Sequence, residues 1–232
     1  MYWPLVGWLF DAAAVTDAAG RGGSSAASGA ALRAAVAAGD ALAVAAAVAG
    51  GADVNSEQLW PEGRGDGETA VHIAAADGHA EVMATLLAVP GVDVNGLASE
   101  GWTPLCLASH AGHRSVVAQL LAAPGVDVNA QCTGGLTALH LATIGGSVEV
   151  AQLLLSAQDI TCDVNVRTGG GETALHLAVL NDRESIVKLL LADGRSDVNA
   201  RTADQGGGRE SRPVLHLSPL SRPDLHLHLH LA

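Results

Sequence analysis

Aromatic side chains are nearly missing from these 232 residues, which hold one Phe, one Tyr and four Trp. A core cannot be built on so few rings, so Ala, Leu and Val must do the packing. Small side chains suit close helix–helix contact better than a sheet sandwich, whose strands favour β-branched and aromatic residues. Lysine is scarcer still, and Lys188 is the single one. With 12 basic and 24 acidic residues the formal charge is −12. Such a chain repels phosphate backbones and anionic lipid surfaces, which argues against nucleic-acid and membrane partners.

Cysteine is sparse as well. Cys106, Cys132 and Cys162 stand 26 and 30 residues apart, with no Cys-x-x-Cys pair, and an odd count does not make a disulfide framework. Long apolar runs are absent too. The stretch from Pro4 to Phe10 is far shorter than the ~20 residues a spanning helix needs. No basic residue precedes it and Asp11 follows, so it makes a poor signal peptide. No Asn-x-Ser/Thr acceptor occurs. A reducing intracellular compartment is expected, the cytoplasm first and the nucleus second.

The chain is rich in repetition. Asp-Val-Asn occurs five times, starting at Asp53, Asp93, Asp127, Asp163 and Asp197, in steps of 40, 34, 36 and 34. A second motif starts at Thr69, Thr103, Thr137 and Thr173 and reads TAVHIA, TPLCLA, TALHLA and TALHLA, in steps of 34, 34 and 36. A third pattern lies between them. Val82, Met83, Leu86 and Leu87 recur as Val116, Val117, Leu120 and Leu121, as Val150, Ala151, Leu154 and Leu155, and as Ile186, Val187, Leu190 and Leu191. Spacing of i, i+1, i+4, i+5 marks one buried helical face. Each unit therefore predicts a short helix opening at Thr, a turn, a second helix, and a loop ending in Asp-Val-Asn. Gly78, Gly112 and Gly146 fall at the turn, with Asp182 in their place in the next unit.

These motifs resemble the ankyrin-repeat family, whose signature is Thr-Pro-Leu-His-x-Ala at a period of about 33 residues. The resemblance covers roughly residues 30–199. It implies an all-α solenoid of stacked helix–turn–helix units with projecting β-hairpin fingers. Residues 1–29 are expected as a flexible N-terminal segment and residues 30–218 as the array. The array divides into a divergent first unit (30–55), clear repeats at 56–95, 96–129, 130–165 and 166–199, and a degenerate last unit (200–218). Residues 219–232 form a His/Leu low-complexity tail. Asn to Thr is 8 residues in three fingers but 14 from Asn55 to Thr69, so the first finger carries six extra residues.

The resemblance also implies a function, namely non-catalytic binding of another protein through the fingers and the concave helical face, by a monomer. The family's variable positions fall here on Glu68, Ala76 and Asp77, then on Ser99, Glu100, Trp102, His110 and Ala111. The next unit supplies Thr133, Gly134, Leu136, Ile144 and Gly145, and the following one Gly169, Gly170, Glu172, Leu180 and Asn181. Trp60, in the long finger, joins them as an aromatic among charges, the make-up of an interface anchor and its rim. Trp60 and Trp102 each allow a second role, packing on the finger or its neighbour.

No catalytic residue is assigned. Gly-x-Ser-x-Gly, a Walker loop and His-Glu-x-x-His are all missing. The signature histidines His72, His140 and His176, with Cys106 replacing the fourth, are expected to be structural hydrogen-bonding residues, as in the family. No cofactor and no metal are assigned. Two alternatives remain open at this point. One is weak metal binding by His226, His228 and His230, which alternate with Leu so that all three share one face of a strand. The other is a regulatory fragment of a larger enzyme.

Overall fold

A computed structural model of the protein describes residues 25–57, 67–157 and 162–202. Among them are ten helices, α1 (Ser25–Ala37), α2 (Ala41–Ala49), α3 (Ala70–Asp77), α4 (Ala80–Leu87), α5 (Pro104–Ala111), α6 (Arg114–Ala122), α7 (Ala138–Gly145), α8 (Val148–Ser156), α9 (Ala174–Leu180) and α10 (Glu184–Asp193). They fall into five consecutive pairs. The first helix of each pair packs on the first helix of its neighbours, and the second helix on the second. The result is an all-α stack. Trp60, the N-terminal aromatics Tyr2, Trp3, Trp8 and Phe10, the last unit beyond Thr202 and the His/Leu tail lie outside the described residues.

Local chemistry explains where each pair starts and turns. Thr69, Thr103, Thr137 and Thr173 are the N-cap residues of α3, α5, α7 and α9, with extended backbone. At Thr103 the hydroxyl accepts the Cys106 amide at 3.2 Å, and Pro104 sits at the first helical position, where its missing N–H costs nothing. The turns close on left-handed residues. Gly78, Gly112 and Gly146 have φ of 75°, 80° and 75°, and Asp182 takes φ 52° in the last turn. Glycine adopts that region without the side-chain clash that Asp182 must bear.

One boundary moves. The first helix opens at Ser25, not at residue 30, so five residues expected in the flexible segment are helical. The Ala-rich run favours helix, and Ser28 Oγ donates to the Gly50 carbonyl at 3.0 Å, tying the start of α1 to the end of α2.

The core is one continuous apolar cluster reaching from Leu32 to Ala200. It buries the repeated faces, among them Val82, Met83 and Leu86, Val116, Val117 and Leu120, Val150, Ala151 and Leu154, and Ile186, Val187 and Leu190. The fourth position of each set, Leu87, Leu121, Leu155 and Leu191, is half-buried at its edge. Each fully buried Leu contributes about 1.5–3 kcal/mol against exposure.

Two ladders of polar groups run along the stack. In each Asp-Val-Asn the Asp carboxylate accepts the Asn amide two residues on, at 2.9–3.0 Å. The Asn carboxamide then reaches the next unit. Asn55, Asn95, Asn129 and Asn165 accept the amides of Asp93, Asp127, Asp163 and Asp197 at 2.7–2.8 Å. Asn55, Asn95 and Asn165 also donate to the carbonyls of Gly91, Gly125 and Arg195. The motif repeats because it joins each unit to the one after it. At the turns, the His113 ring hydrogen-bonds the Ala76 carbonyl at 3.0 Å, and Arg183 donates to that of Ile144 at 3.0 Å. The fingers are narrow hairpins. Ala98, Cys132 and Thr168 donate to the carbonyls of Trp102, Leu136 and Glu172, each at 2.9 Å, around tips at Ser99–Gly101, Thr133–Gly135 and 169–171.

Candidate functional site

The stack places every described candidate at a finger or at the end of a first helix. Ser99 and Glu100 are exposed on the tip of one finger, and Thr133 is exposed on the tip of the next. Glu68, Trp102, Leu136 and Glu172 each directly precede an N-cap Thr and are half-buried. Asp77, His110, Ile144 and Leu180 lie at the far ends of α3, α5, α7 and α9, and Asn181 follows Leu180. Asp77 and Ile144 are half-buried, while His110 and Asn181 are exposed and Leu180 is 62% exposed.

Some of these meet. The Trp102 ring packs partly on the core and meets the His110 ring edge-on, with centroids 5.8 Å apart. Trp102 therefore packs on the core and remains half-buried. The Thr133 hydroxyl donates to the Glu100 carbonyl and joins two fingers. The Glu172 carboxylate accepts from the Thr168 hydroxyl at the base of the fourth finger. Asn181 turns back to its own helix, donating to Leu177 at 2.8 Å. Glu100 has φ 61°, a left-handed value where Gly134 (φ 80°) stands in the next finger. A glutamate held there costs on the order of 1 kcal/mol that glycine would not.

The candidates omit Leu97, a large exposed apolar residue (61%) beside these fingers. A signal for it exists in the repeats, since Gln131, Arg167 and Arg201 hold the same place in later units. Gly145, one of the variable positions, is exposed and also closely packed on its backbone side. A Cβ there would lie 2.6 Å from the His110 carbonyl oxygen, so α7 runs against the α5 backbone at this point. A shallow apolar depression lined by Val89, Pro90, Val92 and Pro124 shares no residue with the candidate set.

The signature histidines and the three cysteines are buried within the array. His72, His140 and His176 stand at the third position of their helices, and Nδ1 accepts the amide of Thr69, Thr137 and Thr173 at 3.1–3.2 Å. The Thr hydroxyls approach the same Nδ1 atoms at 2.8–2.9 Å. His replaces the Glu or Gln of an ordinary capping box. With Nδ1 accepting, the proton of neutral His72 lies on Nε2, which donates to the Gly96 carbonyl at 2.9 Å. Burial holds His72 and His140 below the ordinary imidazole value of 6.5, partly offset by the backbone carbonyls of Gly96 and Val166. Cys106, Cys132 and Cys162 are buried free thiols. Burial pushes Cys106 and Cys162 up to about 11 and raises Cys132, so they are poor nucleophiles at neutral pH. Among the described residues no group of three or more His, Cys, Asp or Glu is placed to hold a metal ion. Among them, too, no helix is long and apolar enough to cross a membrane.

A pH dependence follows. A folded-state value below 6.5 means the unfolded chain binds protons more readily on acidification. The contribution of neutral His72 and His140 is complete above about pH 6.5 and is lost as pH falls below it. Urea midpoints should drop between about pH 7.5 and about pH 5.5. The double variant His72→Gln, His140→Gln keeps a capping-box residue without a titrating ring, and its profile should be shallower. An equally steep profile in that variant would locate the proton uptake elsewhere.

With repeated caps, turns, ladders and fingers in view, comparison with known proteins gives one finding. The family model described as "Ankyrin repeats (3 copies)" matches residues 32–132 and 117–202. The chain belongs to the ankyrin-repeat family. No curated protein matches it. Ankyrin repeats generally mediate protein–protein interaction and are typically non-catalytic. In this ankyrin array, the fingers and first-helix ends are also the parts whose side chains vary between units. Glu68, Trp102, Leu136 and Glu172 share one position, and Ala76, His110, Ile144 and Leu180 another. The core faces, by contrast, repeat.

Proposed function

We propose that this ankyrin array is a non-catalytic adaptor, a monomer that docks another protein across its fingers and first-helix ends. The observation that carries the reading is the pairing of half-buried Trp102 with exposed His110. A tryptophan fixed by packing yet only half-buried loses little side-chain entropy on binding, which is how an interface anchor gains its energy. Exposed Leu180 and Leu97 extend the apolar area, and Ser99, Glu100, Thr133 and Asn181 supply a polar rim. Leu136, Ile144, Glu68, Asp77 and Glu172 complete the surface. Trp60 belongs to the same reading by sequence, as an aromatic among charges in the long finger.

The test is photo-crosslinking in cells with benzoylphenylalanine placed at Ser99 or Leu180, against placement at the exposed second-helix positions Gln152 or Lys188. One protein should be captured from Ser99 and Leu180 and not from the other two. Trp102→Ala, measured well below its own melting temperature so that the array stays folded, should then weaken that protein's binding by about 2 kcal/mol or more, the hot-spot threshold. Capture from Gln152 or Lys188 alone would place the site on the second-helix face and refute the assignment.

A further inference from the structure

The four residues that precede the N-cap threonines form a column of mixed chemistry along the stack. In chain order they are Glu68, Trp102, Leu136 and Glu172, all half-buried and so part of the surface. Two apolar side chains stand in the middle and a carboxylate at each end. Glu100 adds a third acid on the fingertip between them, held in the left-handed conformation for which the next finger uses glycine. Asp77 adds a fourth at the end of α3. None of the candidate positions carries Lys or Arg. Of the nearby arginines, Arg167 shares the finger of Glu172 and Arg183 stands at the turn beyond the other end of α9. Arg183 donates to the Ile144 carbonyl and Arg167 to that of Arg201.

Resting on the adaptor reading above, we infer that the row Glu68–Trp102–Leu136–Glu172 takes an extended segment of a partner protein with basic residues at its ends and apolar residues at its centre. Charge complementarity selects the occupant. Acids at both ends, on a chain of formal charge −12, attract a cationic segment and repel an acidic one. The apolar centre rejects a segment that is merely basic, because Trp102 and Leu136 gain only when apolar surface covers them. Stacking sets the length. Neighbouring units lie about 10 Å apart, so three steps separate Glu68 from Glu172 by about 30 Å. An extended chain covers about 3.3–3.6 Å per residue, which puts the two basic residues roughly nine apart.

The experiment measures fluorescence polarisation with the full chain and three synthetic labelled peptides of roughly ten residues. One has arginine at both ends and leucine at the centre. The second has glutamate at the ends and the same centre. The third has arginine at the ends and serine at the centre. The first should bind about tenfold or more tighter than either other, with an affinity that falls as salt rises. The double variant Glu68→Gln, Glu172→Gln should cut the preference over the glutamate-ended peptide severalfold, the remainder being due to Glu100, Asp77 and the net charge, and Trp102→Ala should erase the preference over the serine-centred one.

Equal or tighter binding of the glutamate-ended peptide overturns the inferred chemistry. If Trp102→Ala still weakens that binding, the adaptor reading stands alone. A charge preference undiminished in the double variant overturns the inference. So does failure of all three peptides to bind, while the crosslinking from Ser99 and Leu180 decides the adaptor reading separately. Self-association that disappears in Trp102→Ala would assign the row to a second copy of this chain and also overturn it.

Discussion

Leu120→Ala should lower the unfolding free energy by about 2–5 kcal/mol. Leu120 is fully buried on α6, whose second-helix neighbours α4 and α8 pack on either side. Truncation removes apolar burial and leaves a cavity that flanking units cannot fill without shifting their own packing. A solenoid unit cannot bury both helices alone, so a loss in an interior unit is felt by both neighbours. The control is Leu180→Ala. The same chemistry is removed from a side chain that is 62% exposed, and the change should stay within about 0.5 kcal/mol, as for surface sites. Urea midpoints compared at constant m-value read both. Similar midpoints for the two variants would contradict the burial assigned to the repeated faces. Leu180→Ala also serves as a binding variant, since it trims the proposed surface without weakening the array.

Gly145→Val should destabilise by about 1–3 kcal/mol or more through overpacking. The cause is backbone, not side chain. A Cβ on Gly145 would sit 2.6 Å from the carbonyl oxygen of His110, at the end of the preceding first helix. Relief requires α7 to move away from α5. That displacement would carry Ile144, the neighbour of Gly145, away from His110 and the Trp102 ring that His110 meets. Valine at this position should therefore lower both the melting temperature and the affinity for whatever the surface holds. Alanine should do the same more weakly, because its helix preference over glycine, about 1 kcal/mol, works against the clash. Two variants at least as stable as the wild type would mean that the helices separate freely, and that the approach at Gly145 does not position the surface.

Much of the fold is legible in the sequence because it is local or periodic. Thr69, Thr103, Thr137 and Thr173 cap the helices they open. The left-handed turns fall at Gly78, Gly112, Gly146 and Asp182, and the i, i+1, i+4, i+5 sets face the core. Each depends on residues within one or two helical turns, so a single repeat suffices to read it. The comparison between units carries information too. The positions that stop repeating, such as the column Glu68, Trp102, Leu136 and Glu172, stand out against those that repeat.

The site is less legible, and the reason is register. Asp-Val-Asn is visible as a motif, but its role as a ladder needs Asn95 to meet Asp127 across 32 residues. Gly145 reads as one of the varying positions, and only the approach of His110, 35 residues earlier, makes it a packing position. The left-handed Glu100 and the hydroxyl of Thr133 on its carbonyl likewise depend on how adjacent fingers abut. The sequence by itself determined the repeat, the caps, the turns and the buried face, since these are set by short-range propensity and hydrophobic period. Tertiary structure alone decided which surface residues touch, because contacts between residues about one repeat apart exist only once the units have stacked.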